Sequence, residues 1–250
     1  MTGIEITTLA RRPELAARLW DMKDPWPPFA GHDSLAWLLY PRMVAAFPDH
    51  VLVGTDGDAV VARAFSLPFA LHAQGRGAGV LPARGWDQVL LWAFSDLRRG
   101  VAPDTVSAIE ITVAADRQGE GLSGLMLAAM RDNARARGFA EVVAPVRPNG
   151  KHAEPDTPMD EYAYRTREDG LPHDPWLRVH VRAGAVIDSV APLSMTVSGS
   201  LADWREWTGL PFDTTGPVRV PGALAPVRCE AEQGYAVYVE PNVWVRHSLG

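Results

Sequence analysis

The sequence has almost no cysteine and no long apolar run. Of its 250 residues only Cys229 is a cysteine, which excludes an intrachain disulfide and any zinc site built from several thiolates. No apolar stretch reaches the roughly 18 residues needed to span a bilayer, so no membrane segment is read. The first residues, Met1-Thr-Gly-Ile-Glu-Ile6, lack a basic region followed by an apolar one, and no secretory leader is read there. No stripe of lysine and arginine stands out, and the formal net charge is −6, which speaks against a nucleic-acid partner. Internal repeats and low-complexity segments are absent. These absences leave a globular protein expected in the cytoplasm. What is present is ordinary for that class: 47% hydrophobic and 22% charged residues, in a chain long enough to bury a substantial core.

Local signals outline the order of elements. Ile4 to Thr8 alternates as a short strand would, and Arg12 to Trp20 reads as a helix that tolerates Pro13 in its first turn. Pro25, Pro27 and Pro28 end it. A second helix is expected from Ser34 to Ala46, capped by Asp33 or Ser34. Two apolar runs, Val51 to Thr55 and Ala59 to Phe65, flank Asp56-Gly57-Asp58, a hairpin signal. Trp86 to Leu97 reads as a helix. A strand at Ser107–Val113, a helix from Leu122 to Arg137 stopped by Gly138, and a strand at Glu141–Val146 form a strand–helix–strand unit, which implies neighbouring parallel strands. Residues 147–175 are rich in Pro, Asp and Gly and read as a long loop with a short helix at 158–166. A helix at 176–183, a strand at 185–188 and a capping box at Ser200-Leu-Ala-Asp203 follow. Gly209 stops that last helix. The remainder alternates strand-like runs with Pro and Gly.

The turn Asp116-Arg-Gln-Gly-Glu-Gly-Leu-Ser-Gly124 joins the first strand of that unit to its helix. Glycines entering a helix N-terminus suit phosphate: the first amides are unsatisfied, the dipole is positive there, and glycine lets a ligand approach the backbone. Gly119-x-Gly121-x-x-Gly124 could be a dinucleotide fingerprint. That fingerprint needs its first glycine almost at the strand end, yet five residues, Ala114 to Gln118, intervene here. It also needs an acidic residue closing the next strand, whereas Glu141 opens it. A turn with glycines for packing alone is the plainer alternative.

The stretch Glu110-Ile-Thr-Val-Ala-Ala-Asp-Arg-Gln-Gly-Glu-Gly-Leu-Ser-Gly-Leu-Met126 resembles motif A of the GNAT superfamily of acyl-CoA N-acyltransferases. The signature there is Gln or Arg, two residues, Gly, one residue, then Gly or Ala. Gln118 and Gly121 match, while Ser123 departs from the last position but stays small. The element order is also similar to that family. The resemblance is firm over Ser107 to Val146, extends more loosely over 1–106 and 176–190, and stops there. It implies an α/β fold with a mixed sheet, three-layered α/β/α, whose central parallel strands splay apart. The chain is then a single domain, 1–250, with a loop insertion at about 147–175 and a C-terminal extension at about 190–250.

The same resemblance implies a cofactor pose. The amides of Gly119, Glu120, Gly121, Leu122 and Ser123, following Gln118, would cradle the pyrophosphate of coenzyme A, and the backbone of Val113 and Ala115 would pair with pantetheine. The strands ending at Val113 and Val146 would open to admit the thioester. Amine acylation also needs a base for the ammonium and a proton source for the thiolate. Aligning Arg182-Ala-Gly184-Ala with the family's helix-ending pattern puts His180 where a tyrosine often supplies that proton, and an imidazole of ordinary pKa could do so at neutral pH. A helix histidine with no role is the alternative. Glu110 lies on the strand that usually carries the family's base, although a solvated strand carboxylate is the plainer reading. Alternation points it away from the face of Ile109 and Ile111 unless a bulge intervenes.

Lys151-His-Ala-Glu-Pro-Asp156 and His173-Asp174 fit no metal-ligand spacing and lie in loops, so no metal is expected. Gly121-Leu-Ser-Gly124 is not a nucleophile elbow, which sets aside a serine hydrolase. Of nine tryptophans, Trp176, Trp204 and Trp207 fall in the C-terminal part; most should be core, and one or two could wall an acceptor pocket. The expected function is direct transfer of acetyl from acetyl-CoA to a primary amine of a small molecule, without metal. The alternatives are action on a carrier-protein-bound acyl thioester, by transfer or decarboxylation, and acyl-CoA binding without catalysis. Exchange of C-terminal strands between subunits would make a homodimer.

Overall fold

The computed structural model describes residues 3–22 and 26–250. Pro25, read above as a helix breaker, and the first two residues of the leader reading lie outside them. Among the described residues nine strands form one mixed sheet in the order β1-β2-β3-β4-β5-β9-β8-β7, with β6 paired to β9. The strands are β1 Ile4–Thr8, β2 Val51–Asp56, β3 Ala59–Phe69, β4 Thr105–Val113, β5 Glu141–Val146, β6 Val186–Ser200, β7 Gly216–Val218, β8 Val227–Glu230 and β9 Tyr235–Ser248. The helices are α1 Ser34–Ala46, α2 Gly85–Arg99, α3 Leu122–Ala136, α4 Met159–Ala163, α5 Pro175–Arg182 and α6 Leu201–Thr208.

Local chemistry sets the boundaries. The Asp33 carboxylate accepts from the Ala36 amide at 2.6 Å and starts α1. Gly57, at φ 57, makes the two-residue β2–β3 turn. Ser200 and Asp203 close a reciprocal capping box on α6, which Gly209 ends in the left-handed region. The first helix expected from the sequence is a 3-10 turn, Pro13–Arg18.

The sheet separates two cores, as the period-2 pattern requires. On one face Val142, Ala144 and Val245 pack with Leu122, Met126 and Met130 of α3 and Leu177 of α5. On the other Val143 and Trp244 join Leu39 and Met43 of α1 and Val89 and Leu90 of α2. A third cluster gathers Phe29, Trp204, Phe212 and Tyr238 around α6. Helices on both faces of a mixed sheet make the three-layer α/β/α arrangement.

Within the C-terminal extension, β9 supplies the strand that joins the two halves of the sheet. β9 pairs with β5 from Val243 to Ser248 on one edge and with β6 along its other edge. The strand expected at 185–188 runs on to Ser200, with a shift in register between Ala191 and Met195 where Pro192 interrupts the ladder. The long loop is pinned. Asp174 accepts from Gly150 N, from the Tyr162 hydroxyl and from the first amides of α5, while Lys151 donates to the carbonyls of Glu154 and Leu224.

Candidate active site

The strands β4 and β5 are parallel, but only Val106–Val142 and Ser107–Val143 pair. Beyond them β4 pairs only with β3 and β5 only with β9, so the two strands part. A cleft of about 1440 Å³ opens where they part, lined by Ala108 to Val113 from one side and Ala144 to Val146 from the other.

At one end of the cleft lies the glycine turn. The chain leaves β4 at Ala114, whose amide donates to Val61 at 2.9 Å, makes a 3-10 turn over Ala115–Arg117, and enters α3 through Gly121 at φ 80. No side chain caps α3, so its first amides face the cleft without a carboxylate or hydroxyl competing for them. Arg117 ties the turn in place, donating to Glu120 at 2.9 Å and to Asp56 of the hairpin at 2.9 Å. Val113, Gln118, Gly119, Gly121, Leu122 and Ser123 all line the cleft. Ala115 and Glu120 do not: Ala115 has already left the strand, and the Glu120 side chain is held by Arg117.

Glu110 lines the cleft and is buried, not a solvated strand carboxylate. The reason is a bulge. Phe65 pairs with Glu110 but Ser66 pairs with Ala108, so Ile109 is the extra residue and the register of faces changes there. The Ile109 carbonyl accepts from the Trp86 indole at 3.0 Å. The Glu110 carboxylate accepts from Arg63 Nε at 2.8 Å, Thr112 Oγ1 at 2.7 Å and the Tyr40 hydroxyl at 2.9 Å. A base bound by a guanidinium and two hydroxyls has little free lone-pair capacity. Sequence reading missed Arg63; the signal was an arginine inside Val60-Val-Ala-Arg-Ala-Phe65, where a buried charge demands a partner. A second carboxylate on the cleft, Glu240, is likewise held by Arg147, Tyr238 and Asn242.

His180 also lines the cleft and is 2% exposed. Its Nδ1 lies 2.9 Å from Nε2 of His247, a residue of β9 that sequence reading did not connect with it. Burial, then the neighbouring His247, pushes His180 down to about 3. In that environment the ring is neutral at pH 7 and offers an N–H or a lone pair. Trp176 meets it edge-on, with centroids 4.7 Å apart. Trp20, Trp26, Trp37, Trp86 and Tyr40 add an aromatic wall on the side of α1 and α2.

Among the described residues no group of three or more His, Cys, Asp or Glu is placed to hold a metal ion. No helix among them is long and apolar enough to cross a membrane.

No protein-family model matches the chain. Over 99% of its length it is 29% identical to arginine N-acetyltransferase avaD of Aspergillus versicolor, covering 94% of that protein. Among solved structures it resembles the loading GNATL domain of CurA from Lyngbya majuscula, with a TM-score of 0.58, 17% identity and 98% of each chain covered. It resembles the GphF GNAT-like decarboxylase in complex with isobutyryl-CoA with a TM-score of 0.51, at 15% identity over 99% of each chain. Its mixed three-layer sheet and parted parallel strands are the fold of these GNAT-like structures, and over nearly its full length the chain is similar to an N-acetyltransferase.

Proposed function

We propose that the chain is an enzyme that transfers acetyl from acetyl-CoA to an amino group of a small molecule. The observation that carries this is the parting of β4 from β5 directly beside the uncapped N-terminus of α3. That juxtaposition gives an acyl thioester a slot between the strands and gives its phosphates a set of amides and a helix dipole. The residues assigned to the phosphates are Gln118, Gly119, Gly121, Leu122 and Ser123, with Val113 beside the pantetheine.

Transfer is direct. The amine nitrogen attacks the thioester carbonyl carbon, the C–S bond breaks, and the thiolate leaves. His180, neutral, offers an N–H to the thiolate. Glu110 takes the amine proton through the Tyr40 hydroxyl, which donates to it at 2.9 Å; Tyr40 passes its own proton to the carboxylate and receives the amine's. The relative's name makes arginine the first acceptor to test. The aromatic wall suits a cationic or flat acceptor, because a guanidinium or ammonium is attracted to ring faces while both cleft carboxylates are already paired.

The pairing of both carboxylates with arginines also favours a second reading, decarboxylation of a malonyl thioester. That reaction needs a donor for the developing enolate oxygen and no free base. One assay decides between them. The chain is incubated with acetyl-CoA or malonyl-CoA, with and without arginine and simple primary amines, while free thiol and released CO2 are followed. Amine-dependent thiol release supports acetyl transfer. CO2 release without an amine supports the second reading, and neither product with any thioester overturns both.

A further inference from the structure

We infer that His247 is a positioning residue that fixes His180 as an N–H donor toward the cleft, with its proton on Nε2. The inference rests on the acetyl-transfer reading for its catalytic meaning, while the proton arrangement itself stands on geometry.

The two rings lie on different elements, α5 and β9, and both are buried, at 2% and 0% exposure. With Nδ1 of His180 2.9 Å from Nε2 of His247, one proton occupies the line between them. Which ring owns that proton follows from the far side of His247. Its Nδ1 is buried and has no hydrogen-bond partner among the described residues. The nearby Ala183 carbonyl accepts from Arg131 Nη1 at 2.7 Å and lies outside hydrogen-bond geometry for that nitrogen. A proton on Nδ1 would be a buried donor without an acceptor, beside the positive charge of Arg131. Burial and that arginine push His247 down to about 4, against a smaller opposing pull from the Ala183 carbonyl, so the ring is neutral and holds a single proton. The proton therefore sits on Nε2 of His247 and is donated to His180 Nδ1. His180 is neutral as well, and with Nδ1 accepting, its own proton is left on Nε2, the nitrogen turned away from His247.

The consequence is a choice of role. In the opposite tautomer His180 would offer the cleft a lone pair and act as a base. In this one it offers an N–H to developing negative charge, on sulfur or on the carbonyl oxygen, without needing to be charged. The groups facing the pair are Arg131 of α3, the Ala183 carbonyl, and the Trp176 ring, which meets His180 edge-on. Of these only the Ala183 carbonyl could accept the His247 Nδ1 proton, and it lies outside hydrogen-bond geometry for that nitrogen and is already taken by Arg131.

The test uses the full chain with 15N-labelled histidine, and long-range 1H–15N spectra at pH 7 that report which ring nitrogen is protonated. His180 signals are assigned against a His180→Asn control. In the unsubstituted protein His180 is expected on Nε2. His247→Gln keeps an N–H donor near the same place, so it should hold that tautomer and keep kcat within about threefold. His247→Leu removes the donor; His180 should become a mixture of tautomers, with kcat down about tenfold or more and KM for acetyl-CoA within about twofold. Protonation of His180 on Nδ1 in the unsubstituted protein overturns the proposal. So does a His247→Leu protein with unchanged tautomer and kcat. If the leucine variant does not fold, the unsubstituted spectrum and the glutamine variant still decide. A protein without any transferase activity but with His180 on Nε2 would sink the acetyl-transfer reading and leave the tautomer assignment standing.

Discussion

Trp86, at the start of α2, donates its indole N–H at 3.0 Å to the carbonyl of Ile109, the extra residue in the β4 bulge. The bulge turns Glu110 toward the cleft, so a helix side chain on one face of the sheet sets the direction of an acidic side chain on a strand. Trp86→Phe keeps the ring and removes the donor. It should cost about 1 kcal/mol of stability and lower kcat about tenfold by letting the bulge shift. Chemical denaturation and steady-state kinetics measure the two effects. An unchanged kcat would remove the bulge from the chemistry.

The Arg63–Glu110 pair, at 2% and 4% side-chain exposure, is expected to behave as a buried ion pair. Glu110→Gln leaves the guanidinium without its counter-charge. It should destabilise by about 3–5 kcal/mol. Arg63→Met with Glu110→Met together should cost less than the sum of the single changes. Urea midpoints of the four proteins form the double-mutant cycle.

The glycine turn has its own signature. Nothing lies within 4 Å of a Cβ built on Gly121, so Gly121→Ala meets no steric obstacle in the free protein and pays only for its positive φ, about 1–2 kcal/mol. If the turn holds pyrophosphate, KM for acetyl-CoA should rise about tenfold while kcat changes little. Equal KM values would place the phosphates elsewhere.

Stability should depend on pH with two opposed slopes. His50, His180 and His247 are held near 4, 3 and 4, chiefly by burial. Each binds its proton more readily unfolded, so each removes stability as pH falls below about 6.5, by about 1.4 kcal/mol per pH unit per group. Asp87 goes the other way. Burial, then the neighbouring Asp33, raises it to about 7, so its contribution is present at low pH and is lost as pH rises from about 4 to 7. Asp33, also raised by burial, acts with Asp87, and the three histidines outweigh the two carboxylates to give a net loss toward acid. Asp87→Asn should flatten the opposing slope and raise Tm at pH 8, as measured by calorimetry across pH 4 to 8.

Features whose cause lies within a few residues could be read from the sequence. Asp33 before Ser34, Gly57 in its hairpin, Ser200 with Asp203, and the spacing from Gln118 to Ser123 each carry their physics locally, and each is where it was expected. His180 was found only through alignment with a family pattern, and its partner was not, because 67 positions separate it from His247. Arg63 and Glu110 stand 47 positions apart, and no spacing rule links residues on adjacent strands at that range. The strand expected at 185–188 fell short of β6, whose ladder with β9 continues past an irregularity between Ala191 and Met195.

The position of β9 has a consequence for how the molecule is assembled. β5, complete at Val146, finds its antiparallel partner only in residues 243–248, and β6 must wait for the same strand. During synthesis the middle of the sheet therefore stays open while about a hundred more residues emerge, with the apolar edge of β5 exposed and without a neighbour on that side. Closure over so long a span is slow, and an open edge invites pairing with another chain. A partner that sheltered β5 until β9 arrived would raise the yield of folded protein, and growth at lower temperature would do so for the same reason.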